Sequence, residues 1–309
     1  MDKLLVTGVD GLVGANFASA LVERCEVIGI AGHAAGPEGC RMLQCDPYCP
    51  RDVASVVAAE APRYIVHCGP LSRSNWDLAD MTPPDADREA ELAAGIVAAG
   101  QRAGARSAVI LTDAVFAGPR LFHTEASPPQ ANNPLADAAR TLEMALIECN
   151  TLLVRTHAYG WSPPGASASY AQRMWQLLSQ GETCEVDAER HATPILASDL
   201  AGLVYLALEK KLTGLLHLTG AERTSPFRFA AELALAAGFA GRHVRVAKDV
   251  APRRPNVDET SLNTYRARRE LETPLPLLRE GLARFAEQAA NGFRDRLAGQ
   301  AVLVQSQAA

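Results

Sequence analysis

Lysine is almost missing from this 309-residue chain: it stands only at positions 3, 210, 211 and 248, so nothing between Lys3 and Lys210 can offer an ammonium group. Tyrosine is missing over a shorter span, between Tyr64 and Tyr159. Acid catalysis by a phenol tuned by a nearby ammonium is thereby excluded from that stretch. Long apolar runs are missing too. The longest, Leu200 to Leu208, is about half of the roughly 18 residues that a membrane-crossing helix needs, and no membrane is expected as a partner. Basic runs are also absent. With 30 Lys and Arg against 35 Asp and Glu, the formal net charge is −5, which leaves nucleic acid no electrostatic footprint. No apolar segment follows the opening Met1-Asp2-Lys3, so no signal peptide is expected and the expected location is cytoplasmic. The seven cysteines, an odd number with several inside apolar segments, suit reduced thiols better than a disulfide framework. Cys40, Cys45 and Cys49 lie close together but match no standard zinc spacing and have no histidine pair nearby, so no metal is expected. There is no internal repeat.

What is present is an ordinary globular composition, 48% hydrophobic and 21% charged, in a length that suits one large domain or two modest ones. The most informative stretch comes first. Leu4 to Val6 is an apolar run of strand length, Gly8, Gly11 and Gly14 follow at three-residue spacing, and Ala15 to Glu23 reads as a helix. Gly8 allows a turn that a side chain would block. Gly11 lets the main chain approach a pyrophosphate, and Gly14 lets the helix pack closely on the strand. The helix start adds free N–H groups and a partial positive charge for phosphates. Strand, turn and helix form the context that a dinucleotide-binding fingerprint requires. The expected cofactor contacts here are Gly8, Asp10, Gly11, Leu12, Val13 and Gly14.

A second buried strand, Glu26 to Ile30, is followed by Ala31-Gly-His-Ala-Ala-Gly-Pro37, without the acidic residue that usually holds a ribose hydroxyl and selects NAD. The loop leaves room for a 2′-phosphate but supplies no arginine for it; NAD and NADP both stay open, with a lean to NADP. A third strand, Met42 to Cys45, ends in Asp46-Pro47, which could meet the adenine; a turn or capping role for Asp46 fits the spacing equally well. Strand four, Tyr64 to His67, leads into Cys68, Gly69 and Pro70 at the carboxyl end of a parallel strand, next to the cofactor by position. Strand five, Ala108 to Leu111, runs into Thr112, and strand six is Leu152 to Arg155. Six alternations of strand and helix predict an α/β fold, a Rossmann-type doubly wound parallel sheet. After residue 160 the chain changes character. Short helices at 169–180, 198–209 and 226–237, a strand-like Leu215 to Leu218 and the basic loop Arg253 to Asn256 predict a small C-terminal substrate-binding lobe. The expected division is a cofactor domain over 1–160 with returns near 190–220, the lobe over 161–288, and an extension over 289–309. Leu277, Leu278, Leu282, Phe285, Phe293 and Leu297 recur at helical spacing, as a helix packed on its own domain or as a partner-facing seam.

Thr7-Gly-x-x-Gly-x-x-Gly14, Asp46 with Asp52-Val53, Thr112-Asp-x-Val-Phe-x-Gly118, Asn133-Pro-Leu135, Arg155-Thr-x-x-Tyr-Gly160, Pro194-Ile-x-Ala-x-Asp-Leu-Ala201 and Arg254-Pro-Asn256 occur in that order. Together they resemble the extended short-chain dehydrogenase/reductases, most closely the dTDP-4-dehydrorhamnose reductase group, over residues 3 to 288. The resemblance implies NAD(P)H-dependent reduction of a nucleotide-linked keto-sugar; the group also includes a regulatory subunit of methionine adenosyltransferase. It implies Leu111 beside the cofactor, Thr112 as a catalytic hydroxyl, although a strand-end cap fits that residue equally well, and Arg155, His157, Arg190, Arg254 and Asn256 toward the substrate. It also marks a loss. The tyrosine and lysine of that group should fall at Ala138 and Leu142, and no shift of alignment restores them, given the gaps in tyrosine and lysine described above.

Three functions stay open. The first is a reductase or epimerase with a substituted proton relay, built on His157 or Asp137. The second is a nucleotide or nucleotide-sugar binder without turnover, acting as a sensor or as the regulatory partner of another enzyme, with a homodimer or a partner enzyme as the possible assembly. The third is a non-redox enzyme of the same fold using His157 or His191. Loss of the acid beside an intact glycine turn favours the second.

Overall fold

The computed structural model describes residues 1–31, 36–46, 49–78, 82–247, 259–297 and 299. The chain opens with β1 (Lys3–Thr7), α1 (Leu12–Leu21), β2 (Glu26–Ala31), β3 (Arg41–Gln44), α2 (Pro50–Glu60) and β4 (Tyr64–His67). A 3-10 turn at Pro70–Ser72 and the single turn α3 (Asn75–Leu78) lead to α4 (Ala86–Arg102), β5 (Arg106–Thr112), α5 (Pro134–Leu146) and β6 (Leu152–Thr156). Then come β7 (Ala158–Tyr159), α6 (Tyr170–Ser179), β8 (Cys184–Val186), β9 (Ile195–Leu196), α7 (Ala197–Glu209) and β10 (Gly214–His217). The chain closes with α8 (Pro226–Ala237), β11 (Val244–Val246), α9 (Tyr265–Leu271), α10 (Leu278–Ala290) and α11 (Phe293–Arg296).

Seven strands form one sheet in the order β10-β6-β5-β4-β1-β2-β3, with every pairing parallel. Six of them follow from the alternation in the first half of the sequence. The seventh, β10, is the later return of the chain, laid beside β6 with Leu215 opposite Leu153. Period-two burial decides the layers. Leu4, Val6, Ile110 and Val154 face a core shared with α1 and α7, whereas Leu5, Ile28 and Ile65 face α2 and α4. Val109, Leu111 and Leu153 face α5. A sheet covered on both sides explains why its strands read as nearly continuous apolar runs.

Local chemistry sets the helix ends. Asp85, Asn133, Ser169 and Ser225 each accept a backbone N–H in the first turn of α4, α5, α6 and α8, which satisfies donors that no carbonyl can reach. Pro134 and Pro226 stand at the first helical positions of α5 and α8, where a missing N–H costs nothing. A second apolar cluster gathers Trp161, Met174, Phe229, Leu233, Leu278, Leu282 and Phe285, with the Trp161 and Phe285 rings stacked at 4.2 Å. Phe293 and Leu297 are buried in the same cluster, while Leu277 is 48% exposed. The helical seam near the C-terminus therefore closes on its own chain. Among the described residues no helix is long and apolar enough to cross a membrane.

Candidate functional site

The sequence runs β1, β2, β3 to one edge and then returns through β4, β5 and β6 on the other side of β1. The crevice at this reversal, outside the carboxyl ends of β1 and β4, is where open parallel sheets take ligands. The glycine turn lies there. Gly8 has φ +68°, and a Cβ on it would stand 2.0 Å from the Cys68 carbonyl oxygen, so the bend after β1 requires glycine for both conformation and space. A Cβ on Gly14 would stand 2.2 Å from the Gly8 carbonyl oxygen, so the same bend is pressed onto α1. No side chain caps α1, whose start, at Gly11 and Leu12, lines the crevice.

A pocket of about 180 Å³ opens at this point. Of the expected residues, Gly8, Asp10, Gly11, Leu12, Cys68, Gly69 and Pro70 line it. Val13 and Gly14 lie just behind, in the packing of α1 on the sheet. Leu111 is fully buried against α5 and does not reach this pocket. Asp46 is exposed past the end of β3 and is not part of the lining, and Pro47 lies outside the described residues.

Thr7, His67, Ser72, Arg73, Glu89 and Leu92 complete the lining. Thr7 and His67 end β1 and β4, so their place at the crevice follows from strand register. Thr7 Oγ1 and His67 Nδ1 are 2.7 Å apart, and burial pushes the imidazole down to about 4. Glu89 is buried on the first turn of α4, and burial raises its carboxyl above the usual range. Arg73 Nη1 and Nη2 donate to the carbonyls of Ser167 and Ala168 at 3.3–3.4 Å, while its buried Nε has no protein partner.

The positions expected to work on a substrate are arranged differently. Ala138 and Leu142 are 3% and 2% exposed on α5, inside an apolar cluster with Leu71, Val115 and Phe116. The Thr112 hydroxyl accepts the Ala114 N–H at 3.1 Å, closing the end of β5. His157, 1% exposed, pairs through Nδ1 with Asp113 Oδ2 at 2.7 Å and lies edge-on to Trp76. The same carboxylate accepts the Asn75 N–H at 2.9 Å and the Thr260 hydroxyl at 2.5 Å.

Arg155 requires a correction. Expected to hold the diphosphate or sugar of a substrate, it is 2% exposed, donates through Nε and Nη2 to both carboxylate oxygens of Glu143, and lies 4.8 Å over the Phe116 ring. The residue belongs to the face of β6 that packs on α5, which turns it away from the crevice. Arg190 donates through Nε to Asp187 at 3.0 Å and is half-buried beside an open cleft of about 550 Å³ that includes Glu189, His191, Arg223 and Glu259. Arg254 and Asn256 lie outside the described residues. Among the described residues no three or more His, Cys, Asp or Glu side chains gather as a metal site.

The fold is shared with dTDP-4-dehydrorhamnose reductase from Bacillus anthracis, solved in complex with NADP, at 22% identity and a TM-score of 0.75 over 93% of this chain and 99% of that one. It is shared with the Bordetella bronchiseptica enzyme WbmH, solved in complex with NAD+, at 18% identity and a TM-score of 0.73 over 95% and 100%. The UDP-glucose 4-epimerase of Thermotoga maritima, solved with UDP-glucose, matches at 18% identity and a TM-score of 0.76 over 94% and 99%. No curated protein sequence matches the chain. The model of the RmlD substrate binding domain matches residues 2–291, nearly the whole sequence, and the chain belongs to that family.

Proposed function

We propose that the chain binds NAD or NADP along the carboxyl ends of β1 and β4 and serves as a binder of dinucleotide or nucleotide-sugar, or as the regulatory partner of another enzyme, with reductase turnover lost or strongly impaired. The observation that carries the loss is the burial of Ala138 and Leu142 in the cluster formed with Leu71, Val115 and Phe116. The resembled reductases need a phenol and an ammonium at these two positions. Here that face of α5 is occupied by core packing, with neither a proton donor nor a positive field.

The binding half rests on the glycine bend, the uncapped start of α1 and the unpartnered Nε–H of Arg73, which together supply donors for a pyrophosphate. Neighbours of the same fold were solved with NADP or NAD. The pocket of about 180 Å³ suits a ribose and a phosphate, and the rest of a dinucleotide would extend beyond it along the sheet edge. When bound, the nicotinamide is a hydride donor or acceptor. The chain itself contributes phosphate and sugar contacts, and Ala138 offers no proton.

The pairing of His157 with Asp113 favours a second reading, a reductase or epimerase with a substituted relay. Its weakness is access. The imidazole is 1% exposed, and the carboxylate is also engaged by Asn75 and Thr260, an arrangement that ties segments together more than it moves protons.

Titration of purified protein with NADH and NADPH, followed by cofactor fluorescence, separates the readings when repeated with a panel of dTDP- and UDP-linked 4-keto sugars. Binding with no consumption of cofactor is the expected result. Steady turnover that collapses in His157→Ala would replace this reading with the second, and failure to bind either cofactor would remove both.

A further inference from the structure

On one wall of the pocket beside β4, the chain passes between two buried side chains that the protein leaves partly unpaired. His67 Nε2 and Glu89 Oε2 have no hydrogen-bond partner among protein atoms, although each residue is only 3% exposed and each lines the pocket. Leaving such groups unmatched is costly, so their alignment on one spot calls for a ligand. Gly69 marks that spot. A Cβ on it would stand 2.9 Å from His67 Nε2 and 3.0 Å from Glu89 Oε2. The two unpaired atoms therefore close on the same point just off the glycine Cα, at the wall of the pocket that both residues line, and any side chain at position 69 would crowd both.

The chemistry of the two walls defines what fits. The imidazole is neutral, because burial holds it at about 4. Its Nδ1 faces the Thr7 hydroxyl, and the nearby carboxylate favours the tautomer with the proton on Nε2. One wall then donates and the other accepts. A hydroxyl does both from a single oxygen. A phosphoryl oxygen only accepts, and it would bring negative charge against a buried carboxylate. The unpartnered Arg73 Nε–H and the start of α1 also line this pocket and suit phosphate. The pocket thus has an anion side and a hydroxyl side, as a ribose phosphate does. The sequence supplies the complement: no Asp or Glu stands between Glu26 and Glu38, where a ribose-binding carboxylate would follow the second strand.

We propose that His67 and Glu89 form a hydroxyl niche that holds a ribose of the bound dinucleotide and keeps that position unphosphorylated, with Glu89 on α4 taking over the role of the missing carboxylate after β2. This rests on the dinucleotide reading above.

Calorimetric titration of the full chain with NADH and with dinucleotides lacking a single ribose hydroxyl, at the adenosine 2′, adenosine 3′ or nicotinamide-ribose positions, tests it without any substitution. An adenosine-ribose deoxy analogue should bind about 10- to 100-fold more weakly than the parent, the range of a hydrogen bond to a charged group, whereas a loss confined to the nicotinamide-ribose analogue would overturn the assignment of Glu89 to the role of the missing carboxylate. Glu89→Gln, close to isosteric, should weaken NADH by a similar factor and bind the weakened adenosine-ribose analogue as the unaltered protein does. Gly69→Ala is a second variant: the glycine has φ −69°, which alanine adopts freely, and the methyl would enter the niche. Thermal melting confirms that both variants fold. If all three analogues bind like the parent, the niche holds only a structural water and the proposal fails while the dinucleotide reading stands. If no dinucleotide binds the unaltered protein, both fall.

Discussion

Glu143 meets Arg155 with both carboxylate oxygens, at 2.6 and 2.5 Å, and both side chains are nearly sealed from water. Such a pair is not evidence of stability by itself, because desolvation of the two charges offsets much of their attraction. Removing one partner is a different matter. Glu143→Gln leaves the guanidinium buried without its counter-charge and should cost about 3–5 kcal/mol in urea unfolding. Affinity for NADH should stay unchanged, whereas a phosphate-holding arginine would bind differently once its neighbour was neutralised. Leu142 gives a parallel test of the position where the resemblance places a lysine. If it belongs to the core, Leu142→Ala should destabilise by about 2–5 kcal/mol through lost burial and a cavity. A loss below about 1 kcal/mol would place the residue in an open site and weaken the case for a filled-in catalytic face.

Asn133 shows how an element converts a family motif into a structural device. Its side-chain oxygen accepts the Ala136 N–H at 3.0 Å and opens α5, with Pro134 at the first helical position. Asn133→Ala should therefore lower stability by about 1 kcal/mol, seen as a fall in melting temperature, and leave cofactor affinity alone. A drop in affinity at unchanged stability would contradict the capping role. The same contrast explains what was legible in the sequence. The glycine turn and the strand–helix alternation are local, so spacing alone reveals them. Thr7 and His67 could be placed at the crevice because they end strands. Glu89 could not. It shares the start of α4 with Asp85, Asp87 and Glu91, all acceptable there on helix-dipole grounds, and only the packing of α4 on the sheet turns this one inward. Arg155 was misplaced for the converse reason: strand alternation gives two faces but does not say which one meets a helix carrying Glu143.

At the scale of the whole molecule, the carboxyl edge of the sheet keeps histidines neutral where water is scarce. His67 ends β4 and His217 ends β10; burial holds the first at about 4, and burial together with the Arg155 charge holds the second at about 3. Both lie below the unfolded value of about 6.5, so between those limits the unfolded chain binds more protons than the folded one. Stability should be at its full level above pH ~6.5 and decline as the pH falls toward 4, where His67 alone accounts for roughly 3 kcal/mol. Glu89 acts with the opposite sign. Its raised carboxyl pKa lets the folded state hold a proton more readily, which partly offsets the decline in the acid range. Unfolding free energies measured by urea across pH 7 to 4 should therefore fall, and the fall should flatten in His67→Gln and flatten further when His217→Gln is added. An unchanged slope in both variants would mean that these imidazoles already bear protons in the folded protein. The donor–acceptor complementarity assigned to His67 and Glu89 would then fail as well, because a charged ring would pair with the carboxylate directly and leave no spot for a hydroxyl to bridge.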